Sequence, residues 1–329
     1  MRIRNSPAAA RLDALERWLA GSLRGARFAL VPASQDASFR RYLRVALEDG
    51  RSFVAMDAPP EQEDCRPFVH VARLLRDAGV HAPRVHAADP ARGFLLLDDL
   101  GTTTYLDALS ESNAAALFGD ATDALIRWQV ATRAGELPPY DRALLRRELD
   151  LFPDWYLGRH LDLTLSAAQR QALETIFGIL IDSALAQPKV YVHRDYMPRN
   201  LMRCEPNPGV LDFQDAVLGP IAYDVVSLLR DAFVSWQEER VLDWCVRYWE
   251  KAKRAGLPVA ADFAAFWRDF EWIGLQRHLK VLGIFARIRY RDGKAKYLED
   301  APRFLDYARA VARRYAALAP LAGLLDEIE

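Results

Sequence analysis

Residues 190–200 decide the fold, and they read Val-Tyr-Val-His-Arg-Asp-Tyr-Met-Pro-Arg-Asn. The first three have the composition of a short buried strand, and Asp195 and Asn200 lie just beyond its end. Twelve residues after Asn200, a second strand-like stretch leads to Asp212. Two strand ends therefore present two carboxylates and one amide, a set that suits both Mg²⁺ and the deprotonation of a hydroxyl group.

The spacing of these polar residues follows the catalytic loop of kinases, His-Arg-Asp-x4-Asn, with a metal-binding Asp after it. His-Arg-Asp alone is a weak signal. Here the tripeptide follows a strand, Asn200 stands at the required offset and Asp212 precedes a Phe. The combination predicts a phosphoryl-transfer site, because three polar residues at strand ends would be costly to bury without a ligand. For His193 we predict a loop-ordering hydrogen bond and no acid or base role.

The charge balance argues against a nucleic-acid binder. The 329 residues include 44 Lys and Arg against 45 Asp and Glu, so the net charge is -1, whereas affinity for phosphate backbones needs a basic excess. The hydrophobic fraction of 51% is enough for a large core. Lysine is absent before Lys189, so any chemistry in the first half that needs a cation must use arginine.

The compartment follows from features that the sequence does not have. Charged residues interrupt the first 22 positions, and no apolar run reaches the ~18–20 residues of a membrane helix. The three cysteines, Cys65, Cys204 and Cys245, are far apart and match neither a disulfide framework nor a zinc site. We therefore expect a cytoplasmic protein, a monomer, with no membrane or nucleic-acid partner.

The first 100 residues have the pattern of a small, mostly antiparallel sheet with helices. Apolar residues at helical spacing predict one helix over residues 8–25, and another is predicted over 66–78. Strand-like stretches occupy residues 28–31, 42–47, 52–56, 85–88 and 94–97. The pair Asp49-Gly50 predicts a hairpin turn between the second and third stretches, because both residues tolerate a positive φ.

Long helices dominate from Thr103 onward. A capping box at residues 166–169 predicts a helix that runs to about residue 186, residues 209–213 have strand character, and the chain after residue 221 is helical. We therefore predict an α+β fold with two lobes. The small N-terminal antiparallel-sheet lobe would cover residues 1–100, and a larger, mainly helical lobe would cover residues 101–329.

These motifs resemble those of the aminoglycoside phosphotransferase/choline kinase superfamily, whose members are relatives of protein kinases. The resemblance covers nearly the whole chain and rests on residues 96–101, 193–200, 212–215 and 220–224. It implies a bilobal, protein-kinase-like fold in which Asp195 is the catalytic base and Asn200 and Asp212 bind Mg²⁺. It also implies that the chain around Leu97, Asp98 and Asp99 holds the adenine of ATP.

A closer resemblance is to the anomeric sugar kinases of cell-wall recycling, which phosphorylate N-acetylmuramate and N-acetylglucosamine at the 1-hydroxyl. The matching pieces are residues 56–60, 193–196 with 199–202, 212–216 and 223–231. This resemblance implies an enzyme that uses ATP and Mg²⁺ to phosphorylate an N-acetylated amino sugar. Polar residues near the expected sugar pocket are candidate substrate contacts, namely Arg199, Asp215, Arg230 and Asp231.

The sequence departs from the family where a phosphate-anchoring lysine is expected, since the strand over residues 53–56 ends in Met56. Arginine is a reasonable substitute, because its guanidinium donates a fork of hydrogen bonds to phosphate oxygens. Strand alternation puts Arg40 and Arg41 on opposite faces, and we predict Arg41 as the anchor and Arg40 as its solvated neighbour. Residues 34–38 replace the usual Gly-rich loop, with Ser38 as a predicted phosphate contact.

Two alternative functions stay open at this point. One is a kinase of the same superfamily that acts on an aminoglycoside, choline or homoserine. A cationic acceptor would call for a pocket dense in carboxylates, whereas the candidate contacts here alternate between Arg and Asp. The other is a pseudokinase that binds nucleotide or a partner without catalysis, an alternative motivated by Met56. Turnover of Mg-ATP separates these alternatives.

Overall fold

A computed structural model of the chain describes residues 7–34 and 40–328. The chain divides into two compact units. The first comprises Met1–Thr103 and Met202–Asp215, and the second comprises Thr104–Leu201 and Ala216–Glu329. The predicted lobe boundary between residues 100 and 101 stays a prediction. The compact units are a different division of the chain, in which residues 202–215 belong to the first unit.

Helices and strands are numbered in chain order. The helices are α1 (Pro7–Ser22), α2 (Arg66–Asp77), α3 (Tyr105–Ala108), α4 (Ala114–Val130), α5 (Arg142–Leu151), α6 (Ala167–Ala186), α7 (Tyr223–Leu229), α8 (Glu238–Arg254), α9 (Phe263–Asp292), α10 (Ala301–Arg314) and α11 (Ala319–Glu327). The strands are β1 (Phe28–Ser34), β2 (Arg41–Leu47), β3 (Ser52–Asp57), β4 (Val85–Asp89), β5 (Phe94–Asp98), β6 (Lys189–Val192), β7 (Leu201–Met202), β8 (Gly209–Val210) and β9 (Val217–Pro220).

The first unit is built on a five-stranded antiparallel sheet with the strand order β1-β2-β3-β5-β4. The predicted hairpin turn between β2 and β3 is present, with Gly50 at a φ of +85°. Helix α1 packs Leu15 and Leu19 against buried strand residues that include Val45 and Ala55. The apolar face of α1 and one face of the sheet thus form a single hydrophobic core.

The second unit is mainly helical and is organised around α9, a helix of 30 residues. A capping box starts α6, since Ser166 accepts from the backbone N–H of Gln169 and Gln169 accepts from that of Ser166. Strands β6 and β9 pair antiparallel, and this two-stranded ladder delivers the chain to the loop after Val192. A π-helix over Phe152–His160 continues α5, and Gly283 of α9 lies directly against the carbonyl group of Leu151.

The predicted α+β class is confirmed, with an antiparallel sheet near the N-terminus and a mainly helical remainder. One predicted strand is too long. The stretch at residues 209–213 ends as a strand at Val210, because Asp212 adopts a left-handed φ of +62°, which a ladder cannot accommodate. Across residues 7–34 and 40–328, no helix is long and apolar enough to cross a membrane.

Candidate active site

The loop after β6 carries the residues that the sequence singles out for chemistry. Arg194 has a φ of +76°, an unfavourable backbone conformation for a residue with a side chain. Two backbone hydrogen bonds within the loop hold it in place. The N–H of Met197 donates to the Asp195 carbonyl at 2.9 Å, and the N–H of Asn200 donates to the Met197 carbonyl at 2.9 Å. A short 3₁₀ turn over Pro198–Asn200 closes it.

Asp195 is half-buried on this loop, and its carboxylate accepts no hydrogen bond from the described residues. Its backbone is fixed instead. The N–H of Asp195 donates to His193 Nδ1 at 3.3 Å, and Asn200 Nδ2 donates to the Asp195 carbonyl at 2.9 Å. His193 therefore has the loop-ordering contact predicted for it. A positioned carboxylate without a competing donor is suited to accept a proton from a substrate hydroxyl.

The backbone of the loop is clamped by Asp224, which is fully buried in the first turn of α7. Its Oδ2 accepts from the N–H of His193 at 2.6 Å, and its Oδ1 accepts from the N–H of Arg194 at 3.0 Å. Burial raises the pKa of Asp224 to about 7, although both N–H donors and Arg277 oppose that rise. This backbone clamp fixes the two residues that precede Asp195.

The side chain of Arg194 is clamped separately, by Glu148 of α5. Arg194 Nη2 donates to Glu148 Oε1 at 2.5 Å, and Lys280 Nζ of α9 lies 2.9 Å from the same oxygen. Tyr140 and Gln276 donate to Glu148 Oε2. Burial alone would raise the pKa of Glu148, but the Lys280 and Arg194 cations lower it to about 2. The carboxylate is therefore ionised at neutral pH.

The first unit brings together Arg40 and two of the sequence-predicted carboxylates. Gln214 Nε2 donates to Asp212 Oδ1 at 3.0 Å and to Asp215 Oδ2 at 3.4 Å. Burial lowers the pKa of Arg40, but Tyr42, Glu63, Asp215 and Asp212 together raise it above its ordinary value. The Arg40 guanidinium thus faces a cluster of acidic groups that includes the predicted metal ligand Asp212.

This placement corrects the orientation expected for the Arg40 and Arg41 pair. The Arg40 side chain is only 10% exposed and donates to Glu63 at 2.9 Å, whereas the Arg41 side chain is 42% exposed and pairs with Asp57. The prediction that Arg40 is the solvated member is wrong. Alternation puts the two on opposite faces, but it does not say which face the acidic groups share. The role of Arg41 in anchoring phosphate stays a prediction, and Ser38 lies outside the described residues.

The segment predicted to hold adenine ends strand β5. Leu97 is buried, and the side chains of the next two residues are bound within the first unit. Asp98 accepts from the Arg84 N–H at 2.9 Å and lies 2.6 Å from His86 Nε2. Asp99 accepts from Arg44 Nε at 2.6 Å. These contacts fix the course of the chain. Contact of Leu97, Asp98 and Asp99 with a nucleotide stays a prediction.

Three of the candidate substrate contacts lie in the second unit, and two of them meet at Phe233. The guanidinium of Arg199 lies 5.0 Å from the Phe233 ring centre, and the Phe233 N–H donates to Asp231 Oδ2 at 3.2 Å. Burial raises the pKa of Asp231 to about 6, against the lowering effect of Arg277. Arg230 is buried and donates to Glu271 at 3.3 Å. The fourth candidate, Asp215, belongs to the first unit.

The residues that the sequence implies as magnesium ligands are Asn200 and Asp212. Within the described ranges, no group of three or more His, Cys, Asp or Glu side chains converges as a metal cage. Magnesium does not need one, because it commonly binds through one or two carboxylates together with substrate phosphates and waters. Asp212 and Asn200 offer carboxylate and amide oxygens, so these residue types fit Mg²⁺ as a hard cation.

Sequence reasoning missed the residues that hold the loop from a distance. Glu148 on α5 and Lys280 on α9 are both far from Arg194 along the sequence, and neither belongs to a recognisable motif. One signal was available. Lys280 is flanked by Leu279, Val281 and Leu282, and a lysine in an apolar helical stretch is costly to bury unless an anion accompanies it.

Comparison with known proteins adds the family context. The sequence profile described as the phosphotransferase enzyme family matches residues 29–270. A protein of Pseudomonas putida named N-acetylmuramate/N-acetylglucosamine kinase is 58% identical over 300 residues, which cover 91% of this chain and 88% of that protein. A protein of Neisseria meningitidis serogroup B with the same name is 51% identical over 318 residues, covering 95% of both chains.

Solved structures show the same fold at much lower identity. An aminoglycoside phosphotransferase with ADP bound aligns over 89% of this chain and 97% of its own, with a TM-score of 0.59 and 15% identity. At that identity the likeness concerns the fold alone. The chain therefore has a protein-kinase-like fold, as its sequence predicts.

Proposed function

Because this chain belongs to the phosphotransferase enzyme family, we propose that it transfers the γ-phosphoryl group of ATP to the anomeric 1-hydroxyl of an N-acetylated amino sugar. The acceptor would be N-acetylmuramate, N-acetylglucosamine or both. One observation carries the choice of acceptor: relatives of that name match at 51–59% identity over nearly the whole chain. The proposal assigns the chain to the recycling of cell-wall sugars.

Asp195 is the group that acts on the acceptor in this proposal. Its carboxylate would accept a hydrogen bond from the 1-hydroxyl and take the proton as the phosphoryl group transfers. The two clamps on residues 193 and 194 hold the loop before the substrate arrives. Most of the rate enhancement then comes from positioning and charge neutralisation, because phosphoryl transfer needs little covalent chemistry from the protein.

Asn200 and Asp212 are the proposed magnesium ligands, on the strength of their residue types and their order in the sequence. Mg²⁺ held there would neutralise charge on the phosphate oxygens. In the first unit, Arg40 is a cation that interacts electrostatically with Asp212, so it is the better candidate to contact phosphate. Arg41 is the second candidate to contact phosphate, because its guanidinium is already bound to Asp57.

Arg199 and Asp231 are the proposed contacts to the sugar in the second unit. The Phe233 ring lies beside the Arg199 guanidinium, and the Phe233 N–H donates to Asp231. An aromatic face next to a cation is a suitable surface for a hydroxylated ring with an acetamido group. Arg230 is engaged with Glu271 and with the faces of three aromatic rings, which argues for a supporting role. Asp215 stays a proposed contact.

The decisive experiment incubates the protein with Mg-ATP and a panel of acceptors, namely N-acetylmuramate, N-acetylglucosamine, an aminoglycoside, choline and homoserine. Phosphorus NMR then identifies the acceptor atom. A glycosyl 1-phosphate is expected. Phosphate on another hydroxyl, or on a non-sugar acceptor, would overturn the proposed reaction. If the protein turns over no ATP in the presence of any of these acceptors, that result would favour a binding protein without catalysis instead.

We also propose that the protein works as a monomer in the cytoplasm. The proposed catalytic, metal and sugar residues all belong to one chain, so the proposed reaction needs no residue of a second subunit. Light scattering on the purified protein checks the oligomeric state, and a mass near 37.3 kDa is expected.

A further inference from the structure

We infer that Lys280 is a positioning residue for the transfer reaction, and that it couples the two clamps that hold the loop around Asp195. The inference rests on the proposed function, in which Asp195 accepts the proton of the acceptor hydroxyl. It goes further by assigning a role to a buried lysine on α9 that no motif identifies. Lys280 would act through its neighbours and would not touch the substrate.

The geometry that supports this role is a pair of hydrogen bonds from one ammonium group. Lys280 Nζ lies 2.9 Å from Glu148 Oε1 and donates to the Tyr223 hydroxyl at 3.1 Å. Glu148 is the residue that holds the Arg194 side chain. Tyr223 begins α7 and immediately precedes Asp224, which holds the loop backbone. Lys280 therefore contacts Glu148, which holds the Arg194 side chain, and it is linked through Tyr223 of α7 to Asp224, which holds the loop backbone.

The loop has a physical need for such bracing. Arg194 is held at a positive φ, a conformation that costs roughly 1–3 kcal/mol and persists only where the surroundings enforce it. Asp195 is the next residue, so relaxation of Arg194 would move the proposed base. A displacement of about 1 Å from a productive position can cost a factor of about 100 in rate.

The charges of the cluster point to the same role. Glu148 supplies one negative charge against the positive charges of Arg194 and Lys280, so the buried trio has an excess of one positive charge. Asp195 is among the groups whose field acts on both cations. An ion pair of Arg194 and Glu148 alone would already be neutral. Stability of that pair therefore does not require Lys280, which favours a functional reason for burying a third charge.

The substitution Lys280→Met tests the inference, because it keeps a long side chain, removes the ammonium group and leaves a neutral Arg194–Glu148 pair. We expect kcat for the sugar to fall by about tenfold or more, while KM for sugar and for ATP changes by less than about threefold. Hydrogen exchange of residues 193–200 should quicken in the same variant. The matched control is Lys251→Met, which removes a lysine paired with Asp123 on the surface and should behave as wild type.

Tyr223→Phe provides a second variant should Lys280→Met fold poorly. It removes only the hydroxyl that receives the Lys280 bond, and it should also lower kcat and quicken exchange in the loop. Wild-type kcat and unchanged exchange in a folded Lys280→Met or Tyr223→Phe protein would overturn the inference. A rise in KM without a fall in kcat would also overturn it. Absence of sugar phosphorylation by the wild-type protein would refute the proposed function instead, and the exchange measurement would still report on the clamps.

Discussion

Arg41 donates from Nε to Asp57 Oδ2 at 3.0 Å, and Asp57 is fully buried in the first unit. Arg11 donates to the other oxygen of the same carboxylate at 2.7 Å. The Arg41 guanidinium is thus part of the structure around a buried anion. Its neighbour Arg40 faces Glu63, Asp212 and Asp215. The two adjacent arginines therefore have different structural roles.

The first prediction compares Arg40→Ala with Arg41→Ala. We expect Arg40→Ala to raise KM for ATP by about tenfold or more, because it removes the cation beside the proposed phosphate and metal site. Arg41→Ala should change KM by less than about threefold and lower stability by roughly 1 kcal/mol, since Arg11 still balances Asp57. Steady-state kinetics and urea unfolding measure both effects. A larger KM effect at Arg41 would restore Arg41 as the anchor.

The second prediction concerns Asp195→Asn. The amide keeps the shape of the side chain but cannot accept the proton, so we expect kcat to fall by roughly 10²–10⁴. Nucleotide affinity, measured by calorimetry with ADP, should stay within about threefold of wild type. Asp182→Asn is the matched control, because that carboxylate lies on the surface with a 67% exposed side chain. Full activity in Asp195→Asn would mean that another group is the base.

The sequence predicted that Asp195 and Asn200 lie on one loop, because that loop is encoded by neighbours along the chain. Asp195 and Asn200 are five residues apart, and a strand directly before them is enough to place them on one loop. The clamp on Arg194 could not be predicted in this way. Its partner Glu148 is 46 residues away along the chain, on α5, whereas Arg194 lies on the loop after β6. Such contacts depend on tertiary packing, for which one sequence carries no local signal.

The orientation of Arg40 and Arg41 shows a second limit of the same kind. Arg40 lies just before β2, and the two side chains bind different carboxylates, Glu63 and Asp57. Which of them meets the acidic groups depends on where Glu63 and residues 212–215 lie within the first unit. Those segments lie outside β2 and its neighbouring strands, so the strand pattern could not decide the question.

The third prediction is a pH dependence from Asp231. Burial raises the pKa of this carboxyl group from 3.8 to about 6 in the folded protein. Its contribution to stability is therefore fully present below about pH 4 and is lost as the pH rises through 6. Between pH 4.5 and 7.5, the wild type should lose roughly 2 kcal/mol of unfolding free energy relative to Asp231→Asn.

Urea unfolding at several pH values measures this difference directly. Asp306→Asn is the control, because Asp306 is exposed on α10, and its unfolding free energy should run parallel to that of the wild type. Parallel curves for Asp231→Asn and wild type would show that the buried carboxyl group does not titrate in this range.

The last prediction concerns the close packing of α9 against the end of α5. Gly283 lies one turn beyond Lys280, and a Cβ atom there would overlap the carbonyl group of Leu151, at the end of α5. Backbone atoms cannot yield as a flexible side chain can, so Gly283→Ala should lower stability by about 1–3 kcal/mol. Gly178→Ala in α6 is the matched control, because a Cβ there meets nothing within 4 Å and should stabilise the helix by about 0.5–1 kcal/mol.

Because Lys280 and Gly283 share one stretch of α9, the shift forced by Gly283→Ala should also lower kcat more than it raises KM. A stable Gly283→Ala protein with wild-type kcat would show that α5 and α9 need not approach this closely.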